Sequence, residues 1–88
     1  MFDQRKNERY EGKGDLLEYS LGPFPGDELF EAEILNYSHT GICLRLAAHI
    51  PPGQEITIWH FSGSSSVTAR VIWSEESADA YLAGLMFL

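Results

Sequence analysis

Hydrophobic and polar residues alternate with a period of two along much of the chain. Every second residue is apolar in the segment GICLRLA (41–47), and the same alternation recurs in SVTARVIW (66–73). This period is typical of β-strands, because successive side chains of a strand point to opposite faces of the sheet. Four further segments have strand character through alternation or through β-branched and aromatic content: 15–21, 29–35, 55–61 and 80–88.

Turn-forming residues separate these six segments. Proline and glycine are concentrated in GPFPGDE (22–28) and HIPPGQ (49–54), and small or polar residues fill SGSSS (62–66) and SEESAD (74–79). Six short strands joined by turns are typical of an antiparallel barrel or sandwich, and closure into a barrel removes exposed strand edges. We therefore predict an all-β fold, a small six-stranded antiparallel β-barrel.

Length and composition limit the chain to one small domain. Its 88 residues leave no room for a second core, and 44% hydrophobic with 12% aromatic residues indicate a folded globule. No apolar run approaches the roughly 20 residues of a membrane span, so we expect no membrane insertion. The charged start and the lone Cys43 lead us to expect a cytoplasmic location, where a free thiol stays reduced.

Charge is distributed unevenly. The net charge is −7, yet four of the six basic residues lie in the first 13 positions, and the rest of the chain carries only Arg45 and Arg70. The acidic balance argues against binding of DNA or RNA, whereas the basic start could capture a small anion. We predict a flexible N-terminal arm (1–13), which has few apolar anchors, and a barrel domain (14–88).

The sequence offers little for catalysis. Histidine occurs only at positions 39, 49 and 60, the CxxC, HExxH and GxSxG motifs are missing, and the paired glutamates fall on solvent faces or in loops. We expect no enzymatic activity, no metal and no cofactor.

The segment NYSHTG (36–41) lies between two predicted strands and has two interpretations. Its asparagine and serine can bond nearby backbone groups in a turn, with Gly41 supplying a positive φ before the next strand. Alternatively, Asn36 and Ser38 present donors and acceptors to a ligand, and Gly41 lets that ligand approach the backbone. The segment alone leaves both interpretations open.

A second motif lies near the N-terminus, where Arg5 and Arg9 form R-x-x-x-R. This motif, followed by N-x-S-x-x-G at 36–41 and then by strands, resembles the PilZ domain family, whose members bind the bacterial second messenger cyclic di-GMP. The resemblance extends through IPPGQEITI, ARVIW and AGLMFL to nearly the whole chain.

The resemblance implies a ligand and a set of contacts. Cyclic di-GMP carries two phosphates and two guanines, and arginine can pair with phosphate or with guanine O6 and N7, or stack on the base. The resemblance assigns ligand binding to Arg5, Arg9, Asn36, Ser38 and Gly41, with Lys6, His39 and Arg70 as secondary candidates. It also implies a non-enzymatic signalling receptor that contacts a protein partner. Because Arg5 and Arg9 lie on the flexible arm and residues 36–41 lie between two strands, we expect the ligand to bridge the arm to the barrel.

Alternatives remain for the function and for the aromatic residues. The main one is a PilZ-like protein-interaction module with weak or no nucleotide binding, and an oligonucleotide-binding barrel is disfavoured by the excess of acid. Trp59 and Trp73 could stack a base, but aromatic residues of this kind more often fill a small barrel, and alternation places Trp73 on the face of Val71. An exposed position in a turn is the expectation for His39.

Overall fold

The computed structural model describes residues 10–12, 14–22, 28–59 and 66–88, and the described chain consists of strands and turns. The candidate residues Arg5, Lys6 and Arg9 lie outside this part. Of the predicted flexible arm (1–13), residues 1–9 and 13 also lie outside it. The strands are β1 (Tyr10–Glu11), β2 (Leu16–Leu21), β3 (Phe30–Tyr37), β4 (Gly41–Leu46), β5 (Glu55–Trp59), β6 (Ser66–Ser77) and β7 (Ala80–Phe87).

Six of these strands close into a barrel. The antiparallel neighbours run β3, β2, β5, β6, β7, β4 and back to β3, and the pairing of β3 with β4 completes the ring. Strand β1 adds to β3 beyond the end of β2, with Tyr10 opposite Tyr37. The predicted six-stranded antiparallel barrel is therefore confirmed, and Tyr10 and Glu11 of the predicted arm are paired with it.

The barrel interior follows from the alternation in the sequence. Apolar residues at every second position of β4, Ile42, Leu44 and Leu46, are at most 2% exposed. Burying such side chains stabilises the fold by about 1.5 to 3 kcal/mol each. Among the residues that the structure describes, the other core residues are Leu17, Tyr19, Ala32, Ile34, Ile50, Ile56, Ile58, Ala69, Val71, Ala83 and Leu85.

The structure corrects two predicted loops. The sequence predicts a loop at 74–79, but β6 continues through this segment to Ser77, which pairs with Ala80 across a tight turn. Its residues are polar because this end of the β6–β7 hairpin is largely exposed, and Ala78 adopts the positive φ of 50° that tight hairpin turns favour. Strand β3 also extends to Tyr37, which leaves only residues 38–40 between β3 and β4.

No helix occurs in the described ranges, and hence none there that is long and apolar enough to cross a membrane.

Candidate ligand-binding groove

A groove of about 400 Å³ opens on the outer face of the barrel, across β3, β4, β7 and β6. Asn36, Cys43, Gly84 and Trp73 line its middle, and Ile72 and Met86 contribute apolar side chains. Polar and apolar groups thus lie together on a surface that is open to solvent.

The strand register explains why these four residues lie together. Asn36 is opposite Cys43, Cys43 is opposite Gly84, and Gly84 is opposite Trp73. They form one row across four strands, which we call the transverse row. Because neighbouring strands lie about 4.8 Å apart, the backbones of Asn36 and Trp73 are separated by roughly 15 Å. The row is long enough to contact a ligand with two bases.

Two β-bulges turn the ends of the transverse row outward. In β3 the register shifts between Ile34 and Asn36, and in β6 it shifts between Val71 and Trp73. Ile34 and Val71 are buried, so regular alternation would point the side chains two residues later into the core as well. An extra residue reverses this alternation. Asn36 therefore lines the groove, and Trp73 is 43% exposed.

The position of Trp73 corrects the prediction from the sequence. The alternation placed it on the inner face with Val71 and favoured a role in filling the barrel, but it lies outside because the bulge shifts the register. Trp59 is partly buried, and its Nε1 donates a hydrogen bond to Ser20 Oγ at 3.2 Å. Of the two tryptophans, Trp73 is the one that lines the groove.

Gly84 provides the space that the Trp73 side chain occupies. A Cβ atom at position 84 would collide with Nε1 and neighbouring atoms of the Trp73 indole. The ring therefore lies against the bare backbone of β7 at Gly84, the residue opposite Cys43 in the row. A glycine inside a strand often marks such a close approach.

The loop at residues 38–40 is a serine turn. Ser38 Oγ accepts a hydrogen bond from the Thr40 backbone N–H at 3.3 Å and lies 3.2 Å from Thr40 Oγ1. The Ser38 backbone N–H donates to the Gly41 carbonyl at 2.9 Å, and Ser38 is only 4% exposed. The turn interpretation is thus confirmed for Ser38, and His39 is exposed in the turn, as expected.

Gly41 does not have the positive φ expected from the sequence. Among the described glycines, positive φ values occur at Gly14, Gly22 and Gly53. The requirement at position 41 is space, because a Cβ there would collide with the backbone carbonyl oxygen of Leu85 in β7. The glycine permits the close approach of β4 and β7 beneath the groove.

The N-terminal arm joins the barrel at the end of this groove. Tyr10 pairs with Tyr37, the residue before Ser38, and the two tyrosine rings lie 5.3 Å apart. Arg9 directly precedes Tyr10 in the sequence. The described residues thus fix the point at which the R-x-x-x-R segment is attached.

The two arginines of the barrel are held by glutamates. Arg70 Nη2 donates to Glu55 Oε2 at 2.8 Å, and Arg45 Nη1 donates to Glu33 Oε1 at 2.5 Å. Neither arginine lines the groove. The structure therefore does not bring Arg70, a secondary candidate, to the transverse row.

A comparison with protein-family models matches residues 3–88 to the PilZ domain. The chain belongs to the PilZ family. In a comparison with curated proteins, no sequence matched this chain. PilZ domains are in general cyclic di-GMP-binding modules that act as receptors or adaptors without enzymatic activity. The match covers the R-x-x-x-R segment as well as the barrel, and the resemblance recognised in the sequence is confirmed at the level of the family.

Several groove residues of this PilZ domain were missed in the sequence. Cys43 and Gly84 gave no signal of a ligand site, although a glycine within the apolar strand AYLAGLMF was a hint of close packing. Ile72 and Met86 are exposed apolar residues, and Ile72 is the residue that the β6 bulge inserts. Their grouping depends on strand register, which the sequence does not reveal.

Proposed function

We propose that this PilZ domain binds cyclic di-GMP in the groove and acts as a non-enzymatic receptor that a protein partner recognises. The observation that supports this most strongly is the transverse row, which has an amide at one end and an exposed indole at the other. The arm that carries Arg5 and Arg9 is attached beside the amide end.

The chemistry of the ligand suits these groups. Each guanine has a flat face, and stacking of a base on an aromatic side chain contributes roughly 1 to 3 kcal/mol. Trp73 offers such a face at the surface. Arg5 and Arg9 supply the planar guanidinium groups that pair with phosphate or with O6 and N7.

The N-x-S-x-x-G residues take different roles within the proposal. Asn36 lines the groove and contacts the ligand through its amide. Ser38 is buried and acts mainly by shaping the turn through its contacts with Thr40. Gly41 acts by keeping β4 close to β7, so that Cys43 and Gly84 form a continuous floor.

Calorimetric titration tests the proposal. We expect wild-type protein to bind cyclic di-GMP with a dissociation constant of about 0.1 to 10 μM, the range that a few charge-assisted contacts support. Arg5→Ala and Arg9→Ala should each weaken binding by about 1.5 to 3 kcal/mol, the cost of a charged hydrogen bond.

Arg45→Ala is the matched control, because it removes an arginine that pairs with Glu33 away from the groove. Its binding should be close to that of the wild type. Equal binding by the wild type and an Arg5→Ala/Arg9→Ala double variant would refute the assigned contacts.

A second candidate function, a protein-interaction module with weak or no nucleotide binding, is favoured by one observation. Ile72, Trp73 and Met86 are 51%, 43% and 43% exposed and line the same groove. Clustered exposed apolar side chains often mark a protein-binding surface. Absence of binding heat at ~100 μM cyclic di-GMP would favour this function over the first.

A further inference from the structure

We propose that Glu11 recognises guanine, accepting hydrogen bonds from its N1–H and N2–H groups. This inference rests on the proposed binding of cyclic di-GMP. It assigns Glu11, which lies outside both sequence motifs, as a residue that determines base specificity.

The strand register brings Glu11 to the transverse row. Glu11 of β1 is opposite Asn36 of β3, so the row continues across a fifth strand beyond its amide end. Side chains at paired positions of an antiparallel ladder lie on one face, with Cβ atoms about 4.5 to 5.5 Å apart. Since Asn36 lines the groove, the Glu11 carboxylate lies on the outer face beside it.

Contacts on both sides of Glu11 fix this strand. The preceding residue, Tyr10, packs its ring 5.3 Å from that of Tyr37. The following residue, Gly12, is buried and donates its backbone N–H to the Leu35 carbonyl at 2.9 Å. The backbone of Glu11 is therefore held against β3, whereas its side chain is exposed.

The row otherwise lacks the acceptor that guanine needs. The N1–H and N2–H groups of guanine are two adjacent hydrogen-bond donors. A carboxylate can accept from both, whereas the Asn36 amide offers one acceptor and one donor. None of the described residues lining the groove is an aspartate or a glutamate. Glu11 adds a carboxylate next to Asn36, and within the described ranges no residue forms a hydrogen bond or an ion pair with this carboxylate.

The same charge gives selectivity against adenine. Adenine has an unprotonated N1 where guanine has N1–H, so the carboxylate would face a lone pair instead of a donor. A carboxylate near a ligand with two phosphates also repels that ligand unless it gains hydrogen bonds in return. Glu11 thus favours a base with two adjacent donors and disfavours adenine at the same position.

The test compares cyclic di-GMP with cyclic di-IMP, whose hypoxanthine bases lack the N2 amino group. Wild-type protein should bind cyclic di-GMP roughly tenfold or more tightly, the effect of one charge-assisted hydrogen bond. Glu11→Ala should bind cyclic di-GMP more weakly and lose most of this ratio. Glu18→Ala, which removes another exposed strand glutamate opposite Trp59, should keep the wild-type ratio.

The outcomes separate this inference from the proposed function. Suppose that the wild type binds cyclic di-GMP and that Glu11→Ala keeps the wild-type ratio of affinities for the two ligands, whether its binding is unchanged or is tighter for both. Glu11 is then only a nearby charge, and the inference is wrong. If the wild type binds neither ligand, the proposed function is refuted, and the inference with it. Matching circular dichroism spectra would show that the variants are folded.

Discussion

Replacing Gly84 with alanine should displace the Trp73 ring and destabilise the barrel. The added Cβ would collide with the indole, and the backbone on which the ring rests cannot move without disturbing the pairing of β7 with β4 and β6. Trp73 is 43% exposed, so about half of its surface, ~100 Å², is covered, which corresponds to about 2.5 kcal/mol.

Partial displacement of the Trp73 ring should remove much of the stabilisation that its burial provides. Alanine in place of glycine recovers about 0.4 to 1 kcal/mol by restricting the unfolded chain. We therefore expect Gly84→Ala to lower the free energy of unfolding by about 1 to 2 kcal/mol. In a Trp73→Ala background the collision is gone, and Gly84→Ala should be neutral or stabilising.

Urea unfolding of the four proteins in this double-mutant cycle measures the effect, and the coupling energy should be about 1.5 to 3 kcal/mol. In a Trp59→Phe background, the emission of Trp73 should also shift to the red when Gly84→Ala exposes the ring. Equal destabilisation by Gly84→Ala with and without Trp73 would refute the account of how this ring is held.

Three further predictions follow from the same packing. Gly41→Val should destabilise the barrel by at least ~2 kcal/mol in chemical unfolding, because its side chain meets the fixed backbone carbonyl of Leu85; an unchanged midpoint would contradict the close approach. Burial raises the pKa of the Tyr19 hydroxyl above 10.0, so the unfolded chain loses that proton first and the free energy of unfolding should fall as pH rises from about 10 towards the raised pKa. In urea titrations at alkaline pH, Tyr19→Phe should show a smaller fall than the wild type, and an identical fall would contradict this prediction. Cys43, the single cysteine, lines the groove, so saturating cyclic di-GMP should slow the alkylation of its thiol by iodoacetamide. Mass spectrometry measures the rate, and an unchanged rate would place the ligand elsewhere.

The barrel could be predicted because each strand carries a local signal. Residues such as Ile42, Leu44 and Leu46 repeat with a period of two, and turn-forming residues mark most of the connections. The two-residue strand β1 is too short to show any period. The end of β6 resembles a loop in the sequence because its side chains are largely exposed and polar. Its backbone nevertheless continues to pair with β7.

The candidate site could be predicted only in part. Motif spacing identified Asn36, but the outward position of Trp73 depends on a bulge, and counting alternate residues cannot detect one inserted residue. Gly41 was identified for the wrong physical reason. Glycine serves both for positive φ and for close approach, and only the register of β4 against β7 separates the two uses.

The grouping of Glu11 and Asn36 with Trp73 is a property of the closed sheet. These residues come from three strands that are distant in sequence, and two bulges set which face they occupy. A chain of 88 residues contains many polar and aromatic side chains that could form such a group. The strand pairings select the set that lies together.

An NMR titration of ¹⁵N-labelled protein with cyclic di-GMP would show whether this groove binds the ligand. We expect the Trp73 indole Nε1–H signal and the backbone amide signals of Asn36, Cys43 and Gly84 to shift together and to saturate by ~100 μM ligand. The amides of Ile56 and Ile58, on β5 away from the groove, should hardly change. No shifts at that concentration, or shifts that leave the transverse row unchanged, would contradict the claim that this groove binds cyclic di-GMP.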